Sequence, residues 1–211
     1  AIKYADIVSQ SFQSLKNITT GEGGAVITNN HNIIKKINIF RNHGFVKSLK
    51  YKDRWSREIK EIGYNFRITD FQSALGISQL KKINKFISKR RAIAKVYDNF
   101  FKQIENITAP YFKKNYFHSY HLYPLQINFK KSKIKKSEML SFFLKNNFNL
   151  QIHYKPIHFY KFYQKKFSYK LGDFPNAEKF YKNEISLPIH PNLNSFKQKY
   201  FIKLFKNFIK Y

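Results

Sequence analysis

Lys16 stands between the run Ala5-Asp6-Ile7-Val8 and the glycine-rich turn Gly21-Glu22-Gly23-Gly24, which leads into the apolar Ala25-Val26-Ile27. Two short apolar segments joined by such a loop restrict the backbone to a strand, a tight excursion and a second strand. The three glycines supply positive-φ backbone that can approach a ligand closely. A lysine amine held there can be desolvated, lose its proton and attack a carbonyl. Lys16 is therefore the first candidate for covalent chemistry, in a chain whose other lysines read as solvated surface charge.

The rest of the chain reads as globular. Its 211 residues, 43% hydrophobic and 18% aromatic, suffice to bury a core in one large domain or two small ones. No run of about 18 or more uncharged apolar residues is present, so no membrane span is expected. With no cysteine there is no disulfide and no thiolate metal site, which fits the expected cytoplasmic location. The net charge of +28, from 40 Lys and Arg against 12 Asp and Glu, raises a nucleic-acid hypothesis. The excess, however, is spread over the whole chain and travels with Asn, Ile, Phe and Tyr, the set expected of A/T-rich codons. A non-catalytic protein that binds nucleic acid or another polyanion is the competing class. Its affinity would fall steeply with salt and would not depend on Lys16.

Periodicity and turn chemistry place the elements. Strands are expected at about Asp6 to Ser11 and Ala25 to Thr28, followed by a helix from Asn32 to Arg41. The polar segment Asn42 to Ile62 reads as an exposed loop around Trp55. Thr69 with Gln72 forms a capping-box pattern. Phe71, Leu75, Leu80, Ile83, Ile87, Ile93, Tyr97 and Phe100 then recur at near-helical spacing, predicting one long helix from Thr69 to Gln103, kinked near Ser88. Pro110 and the polar Lys113-Lys114-Asn115 mark a boundary, which gives domains at 1–105 and 106–211. Beyond it, the sequence predicts a strand from Tyr120 to Phe129, a helix from Ser137 to Asn146 capped by Ser137, and a strand from Asn149 to Tyr154. A short helix from Pro175 to Tyr181 and a last helix capped by Ser195 with Gln198 follow, the last with Phe201, Leu204, Phe205 and Phe208 on one face.

Three blocks together carry a resemblance. The first is Ser11-Phe12-Gln13-Ser14-Leu15-Lys16 with Thr19-Thr20-Gly21-Glu22-Gly23-Gly24. The second is Gly63-Tyr64-Asn65-Phe66-Arg67-Ile68-Thr69-Asp70 continued by Gln72-Ser73-Ala74-Leu75-Gly76-Ile77-Ser78-Gln79-Leu80. The third comprises His121-Leu122-Tyr123-Pro124, Gln151-Ile152-His153-Tyr154-Lys155-Pro156, Pro175-Asn176-Ala177-Glu178 and Ile185-Ser186-Leu187-Pro188. In this order they resemble the DegT/StrS-type sugar aminotransferases, pyridoxal 5'-phosphate (PLP) enzymes of fold type I, and among them those that aminate UDP-linked 4-keto-6-deoxy sugars in pseudaminic-acid and related surface-glycan or flagellin-glycan biosynthesis. One departure is that family members carry His-Pro where this chain has Gln13-Ser14.

The resemblance implies an α/β fold: the end of a large PLP-binding domain, a long linking helix and a small α/β domain. It also implies roles. Lys16 falls where the family holds PLP as a Schiff base, Ser11 where a hydroxyl holds the cofactor phosphate, and Asn65 where an amide reaches the phosphate of the other subunit, so a homodimer is expected. An amide donor and the start of a capped helix both suit phosphate. Arg67 would face the cofactor region or pair with Asp70. His153 and Tyr154, expected at a strand end, and Lys155 are candidates for the substrate side, with glutamate as the implied amino donor. The family's stacking aromatic and its aspartate for the pyridine nitrogen cannot be placed in this sequence. The chain, which starts at Ala1, is accordingly expected to be the C-terminal part of a longer enzyme and inactive alone. An inactive fragment or a degenerate paralogue that binds cofactor without transferring nitrogen is a third reading. His118-x-x-His121 and His153-x₄-His158 have metal-compatible spacing but no cysteine or nearby carboxylate, so no metal site is expected. No G-x-x-x-x-G-K or G-x-G-x-x-G run is present, which disfavours an NTPase or a Rossmann protein.

Overall fold

A computed structural model describes residues 2–47, 56–113 and 115–209. The chain divides into two compact units, Ala1–Ile83 and Asn84–Tyr211. The division falls ahead of the boundary expected at 105/106, because the helix over that stretch buries its apolar face in the second unit.

In the first unit, β1 (Val8–Ser11) and β2 (Gly24–Ile27) form an antiparallel pair with Val8 opposite Ile27 and Ser11 opposite Gly24. Helix α1 (His31–Phe40) begins where the Asn30 side chain accepts from the Asn32 and Ile33 amides. The expected loop beyond it begins and ends as a hairpin, β3 (Phe45–Lys47) against β4 (Arg57–Ile59). Trp55 lies outside the described residues. Helix α2 (Asp70–Leu80) has the predicted capping box in full: Thr69 Oγ1 accepts from the Gln72 amide and the Gln72 side chain accepts from the Thr69 amide.

The single long helix of the sequence reading is two. Helix α3 spans Ile83–Phe101, and the interruption falls at Lys81-Lys82, where the Lys82 amide bonds three residues back to Gln79, not at Ser88. The apolar residues predicted to share one face also part company: Phe71 is 91% exposed, whereas Tyr97 is fully buried.

The second unit holds all sixteen buried hydrophobic residues among those described, from Ile93 to Phe205. Tyr97, Phe101, Phe143, Phe201 and Phe205 are sealed from solvent, with neighbouring ring centroids 4.9–6.2 Å apart, several edge-on. Burying each such side chain contributes about 1.5–3 kcal/mol. Against them lies a three-stranded antiparallel sheet, β5 (Ile107–Thr108), β6 (Pro124–Ile127) and β7 (Glu184–Ser186), in that order. The strand expected from Tyr120 to Phe129 shortens to β6, because Tyr120 has left-handed backbone (φ 47°) and Asn128 caps the short helix α4 (Phe129–Ser132). No strand forms from Asn149 to Tyr154. Only Gln151 bridges to Ser186, and the His153 amide donates to the Glu184 carboxylate instead of a ladder carbonyl.

Helix α5 (Lys136–Lys145) starts one residue before the expected Ser137, behind an extended Lys135 that makes no side-chain cap. Helices α6 (Lys161–Phe167) and α7 (Pro175–Asn183) follow, the latter with Pro175 in its first turn as predicted. Helix α8 (Ser195–Phe208) is capped by Asn194, whose Oδ1 accepts from the Lys197 amide, and not by Ser195. Gln198 is instead buried and donates to the Ile93 carbonyl. Among the described residues no helix is long and apolar enough to cross a membrane.

Candidate active site

The loop carrying Lys16 leaves β1 at Ser11 and returns at Gly24, and its own backbone ties it shut. The Phe12 amide donates to Gly23 O (2.9 Å), and Phe12 O accepts both the Thr20 amide (2.9 Å) and the Thr19 hydroxyl (3.1 Å). Gln13 organises the turn into the lysine. Its amide donates to Ser11 Oγ (3.3 Å), its Oε1 accepts the Leu15 amide (2.9 Å), and its carbonyl accepts the Lys16 amide (2.9 Å). Gln13 and Ser14 thus form a hydrogen-bonded turn leading into Lys16.

Gly21 and Gly23 have the positive φ expected of the turn, whereas Gly24 does not, and the close approaches at Gly23 and Gly24 are to the protein itself. Gly23 has φ +150° and a Cβ there would sit 2.5 Å from Thr20 Oγ1, while a Cβ at Gly24 would sit 2.9 Å from Gln10 O. Side chains at either position would spread the loop. Helix α2 fastens it from the other side. Gln72 Nε2 donates to Glu22 O (2.9 Å), and Gly76 lies so close to Thr20 that a Cβ would meet the threonine methyl at 2.9 Å. Gln72 therefore has two tasks, capping α2 and holding the lysine loop, of which the sequence revealed only the first.

Lys16 is half-buried, and its amine has no hydrogen-bond or ion-pair partner among the described residues. Ser11 ends β1, with Oγ accepting from Gln13 and its own proton uncommitted. Asn65 is exposed and pairs with Asn42 through the backbone, and its side-chain amide has no hydrogen-bond partner among the described residues. It lies between Tyr64 and Phe66, whose rings stack at 4.9 Å and receive the Phe40 ring edge-on. Arg67 does not pair with Asp70: its Nη1 donates to Asn42 Oδ1 at 2.6 Å, bracing the segment that presents Asn65.

The remaining candidates belong to the second unit. His153 is half-buried with Nδ1 2.8 Å from Ser186 Oγ, Tyr154 is exposed, and the Lys155 ammonium lies 4.8 Å from the centre of the Tyr160 ring. The expected strand end is absent; one backbone bridge and the Glu184 carboxylate hold this segment. Glu184 and Ser186 were missed from sequence. The available signal was a carboxylate inside the apolar run Glu184-Ile185-Ser186-Leu187 of a strongly basic chain, since a buried charge needs partners.

Two of the histidines with metal-like spacing, His118 and His158, have other partners. His118 stacks on Phe112 at 3.7 Å, with its pKa lowered by burial and then by Arg91. His158 is buried with Nε2 2.9 Å from Glu178 Oε1.

Residues 2–206 match the sequence profile of the DegT/DnrJ/EryC1/StrS aminotransferase family. The chain is 44% identical over 192 residues to an uncharacterized protein of Methanocaldococcus jannaschii, covering 89% of this chain and 50% of that one. It is also 44% identical over 186 residues to the UDP-4-amino-4,6-dideoxy-N-acetyl-β-L-altrosamine transaminase of Helicobacter pylori, covering 87% and 47%. Among solved structures, Helicobacter pylori PseC, an aminotransferase of pseudaminic-acid biosynthesis, superimposes with a TM-score of 0.88 at 39% identity, covering 99% of this chain and 54% of PseC. The chain spans about half the length of the curated relatives it matches.

The residues present fit the group used by such enzymes. A phosphorylated aldehyde requires an amine for the carbonyl and neutral or cationic donors for the phosphate. Among the described residues Lys16, Ser11 and Asn65 each keep a donor uncommitted within one unit, on segments fixed by backbone hydrogen bonds.

Proposed function

Because the chain belongs to the DegT/DnrJ/EryC1/StrS aminotransferase family, we propose that it forms part of a PLP-dependent enzyme that moves an amino group, from glutamate, onto a UDP-linked 4-keto-6-deoxy sugar. The observation that carries this reading is a half-buried lysine without a partner among the described residues, on a loop closed by its own backbone and fastened to α2. Among the described residues its amine is engaged in no ion pair, which supports a role toward a carbonyl.

The bound cofactor supplies an electron sink that makes the substrate's amine-bearing carbon acidic. Lys16 Nζ would hold that cofactor and, as a general acid-base, would take up and return a proton at the substrate's amine-bearing carbon. Ser11 Oγ and the Asn65 amide donate to the phosphate, Asn65 across a homodimer interface. Such donors fix the reacting atoms relative to Lys16, and loss of that alignment is expensive in rate. His153, Tyr154 and Lys155 form the sugar-nucleotide side, with Lys155 facing an anionic group. The enzyme works in the cytoplasm, on glycan precursors.

The test is reductive trapping: the native enzyme is incubated with PLP, reduced with borohydride and mapped by peptide mass spectrometry. Lys16 should be labelled ahead of the other lysines, and Lys16→Ala should remove that label and abolish amino transfer by the native enzyme. Uniform labelling of surface lysines would overturn the assignment. Retained transfer in Lys16→Ala would do so as well.

A further inference from the structure

Three groups in the second unit form a chain that leads from the interior to the His153 ring. Glu184 is fully buried, Ser186 is 5% exposed, and both lie on β7. Glu184 Oε2 accepts the His153 backbone amide at 2.9 Å, and Glu184 Oε1 accepts the Ser186 hydroxyl at 2.5 Å. Ser186 Oγ in turn lies 2.8 Å from His153 Nδ1. The backbone makes the same connection, since the Ser186 amide donates to Gln151 O at 2.8 Å.

The direction of each proton follows from the donor inventory. An ionised carboxylate only accepts, so the single Ser186 proton points at Glu184. The 2.5 Å separation lies in the range of a charge-assisted O–H···O⁻ bond, and both Glu184 oxygens act as acceptors, one from the Ser186 hydroxyl and one from the His153 amide. With its proton committed, Ser186 can offer His153 only a lone pair, so Nδ1 must carry the hydrogen. Nε2 is then the lone-pair nitrogen. It has no hydrogen-bond partner among the described residues and is not sealed in the interior, in a ring that is half-exposed beside Tyr154.

We propose that Glu184, acting through Ser186, is a positioning residue that fixes the neutral His153 ring as the Nδ1–H tautomer, so that Nε2 accepts a hydrogen bond from a hydroxyl of the sugar substrate. The tautomer rests on the geometry alone; the substrate end rests on the function proposed above. A buried carboxylate three atoms removed from the ring thereby makes His153 an acceptor, where the opposite tautomer would be a donor.

Ring ¹⁵N–¹H long-range correlation spectra of the full chain, recorded where the ring is neutral and with the His153 signal assigned by His153→Gln, read the tautomer directly. The wild type should give the Nδ1–H pattern. Ser186→Ala should shift it toward Nε2–H. Glu184→Gln should do the same, because the new amide donates to Ser186 Oγ and frees the serine proton for Nδ1. Ser186→Ala removes one hydroxyl and decides the matter if Glu184→Gln fails to fold. An Nε2–H wild type, or an Nδ1–H pattern unchanged in Ser186→Ala, overturns the relay. For the substrate end, Ser186→Ala in the native enzyme should raise KM for the nucleotide-sugar roughly tenfold while leaving the half-reaction with the amino donor unchanged. An unchanged sugar KM alongside a shifted tautomer overturns only the substrate assignment, and loss of both half-reactions equally overturns it too.

Discussion

Gly63→Ala tests why the segment bearing Asn65 follows the path it does. Gly63 has no left-handed φ, so conformational freedom is not the reason for glycine here. A Cβ would sit 2.2 Å from the Gly44 nitrogen, 2.7 Å from the His43 carbonyl carbon and 2.8 Å from Phe40 O, all backbone atoms that no rotamer change can move. Restoring ordinary contact demands a displacement of about 1 Å, which the hydrogen bonds of this crossing cannot absorb. At stake are the Tyr64 amide to Phe40 O (2.7 Å), the His43 amide to Tyr64 O (2.9 Å) and the Phe66 amide to Arg41 O (3.0 Å). At about 1 kcal/mol net for each, their loss lowers the local opening free energy by about 3 kcal/mol. Native-state hydrogen exchange should then report the Tyr64 and Phe66 amides exchanging roughly 10²-fold faster than in the wild type. Gly21→Ala is the matched control: φ is +79° but nothing lies within 4 Å of the new Cβ, so it should cost about 1 kcal/mol and leave those two amides untouched. Unchanged Tyr64 and Phe66 protection in Gly63→Ala would refute the steric argument.

Asn194→Ala should destabilise the chain by about 1 kcal/mol in urea denaturation, while Ser195→Ala should be near neutral, because only Asn194 Oδ1 caps α8. The Arg90 guanidinium donates to the Tyr120, His121 and Ile189 carbonyls at 3.1, 3.2 and 2.7 Å. Arg90→Met should therefore cost about 3 kcal/mol in the same assay. Burial pushes the Glu178 carboxyl up, but hydrogen bonds from the Gly172 amide, His158 and the Phe174 amide outweigh it and hold its pKa below the usual 4.5. A depressed carboxyl contributes stability above its unfolded value and loses it as pH falls through the folded value. Stability should accordingly drop below about pH 4.5, and Glu178→Gln should flatten that part of a pH-denaturation profile.

The local elements were legible because their causes are local. The Thr69–Gln72 box, Pro175 at a helix start and the strand-loop-strand around Lys16 depend on residues within a few positions of one another, and each formed where expected. The apolar positions of α8 were equally clear, since one face at 3.6-residue spacing leaves little choice. Lys16, Ser11 and Asn65 were singled out by motif. Their available donors became visible only with every neighbouring bond in place.

What the sequence alone determined about this protein is the chemistry on offer: one lysine in a glycine-rich turn and a family pattern running through three blocks. Tertiary structure decided what depends on distant partners. It broke the long helix at Lys81-Lys82, replaced the strand before Tyr154 by a single bridge, and gave the Asn42 amide to Arg67. It also set Glu184 and Ser186 behind His153. The physical reason is the same in each case. A cap or a periodic face is satisfied within one turn of chain, whereas a buried carboxylate, a backbone crossing or a ring tautomer is fixed by groups about 20 to 30 residues away or more, whose approach no local pattern encodes.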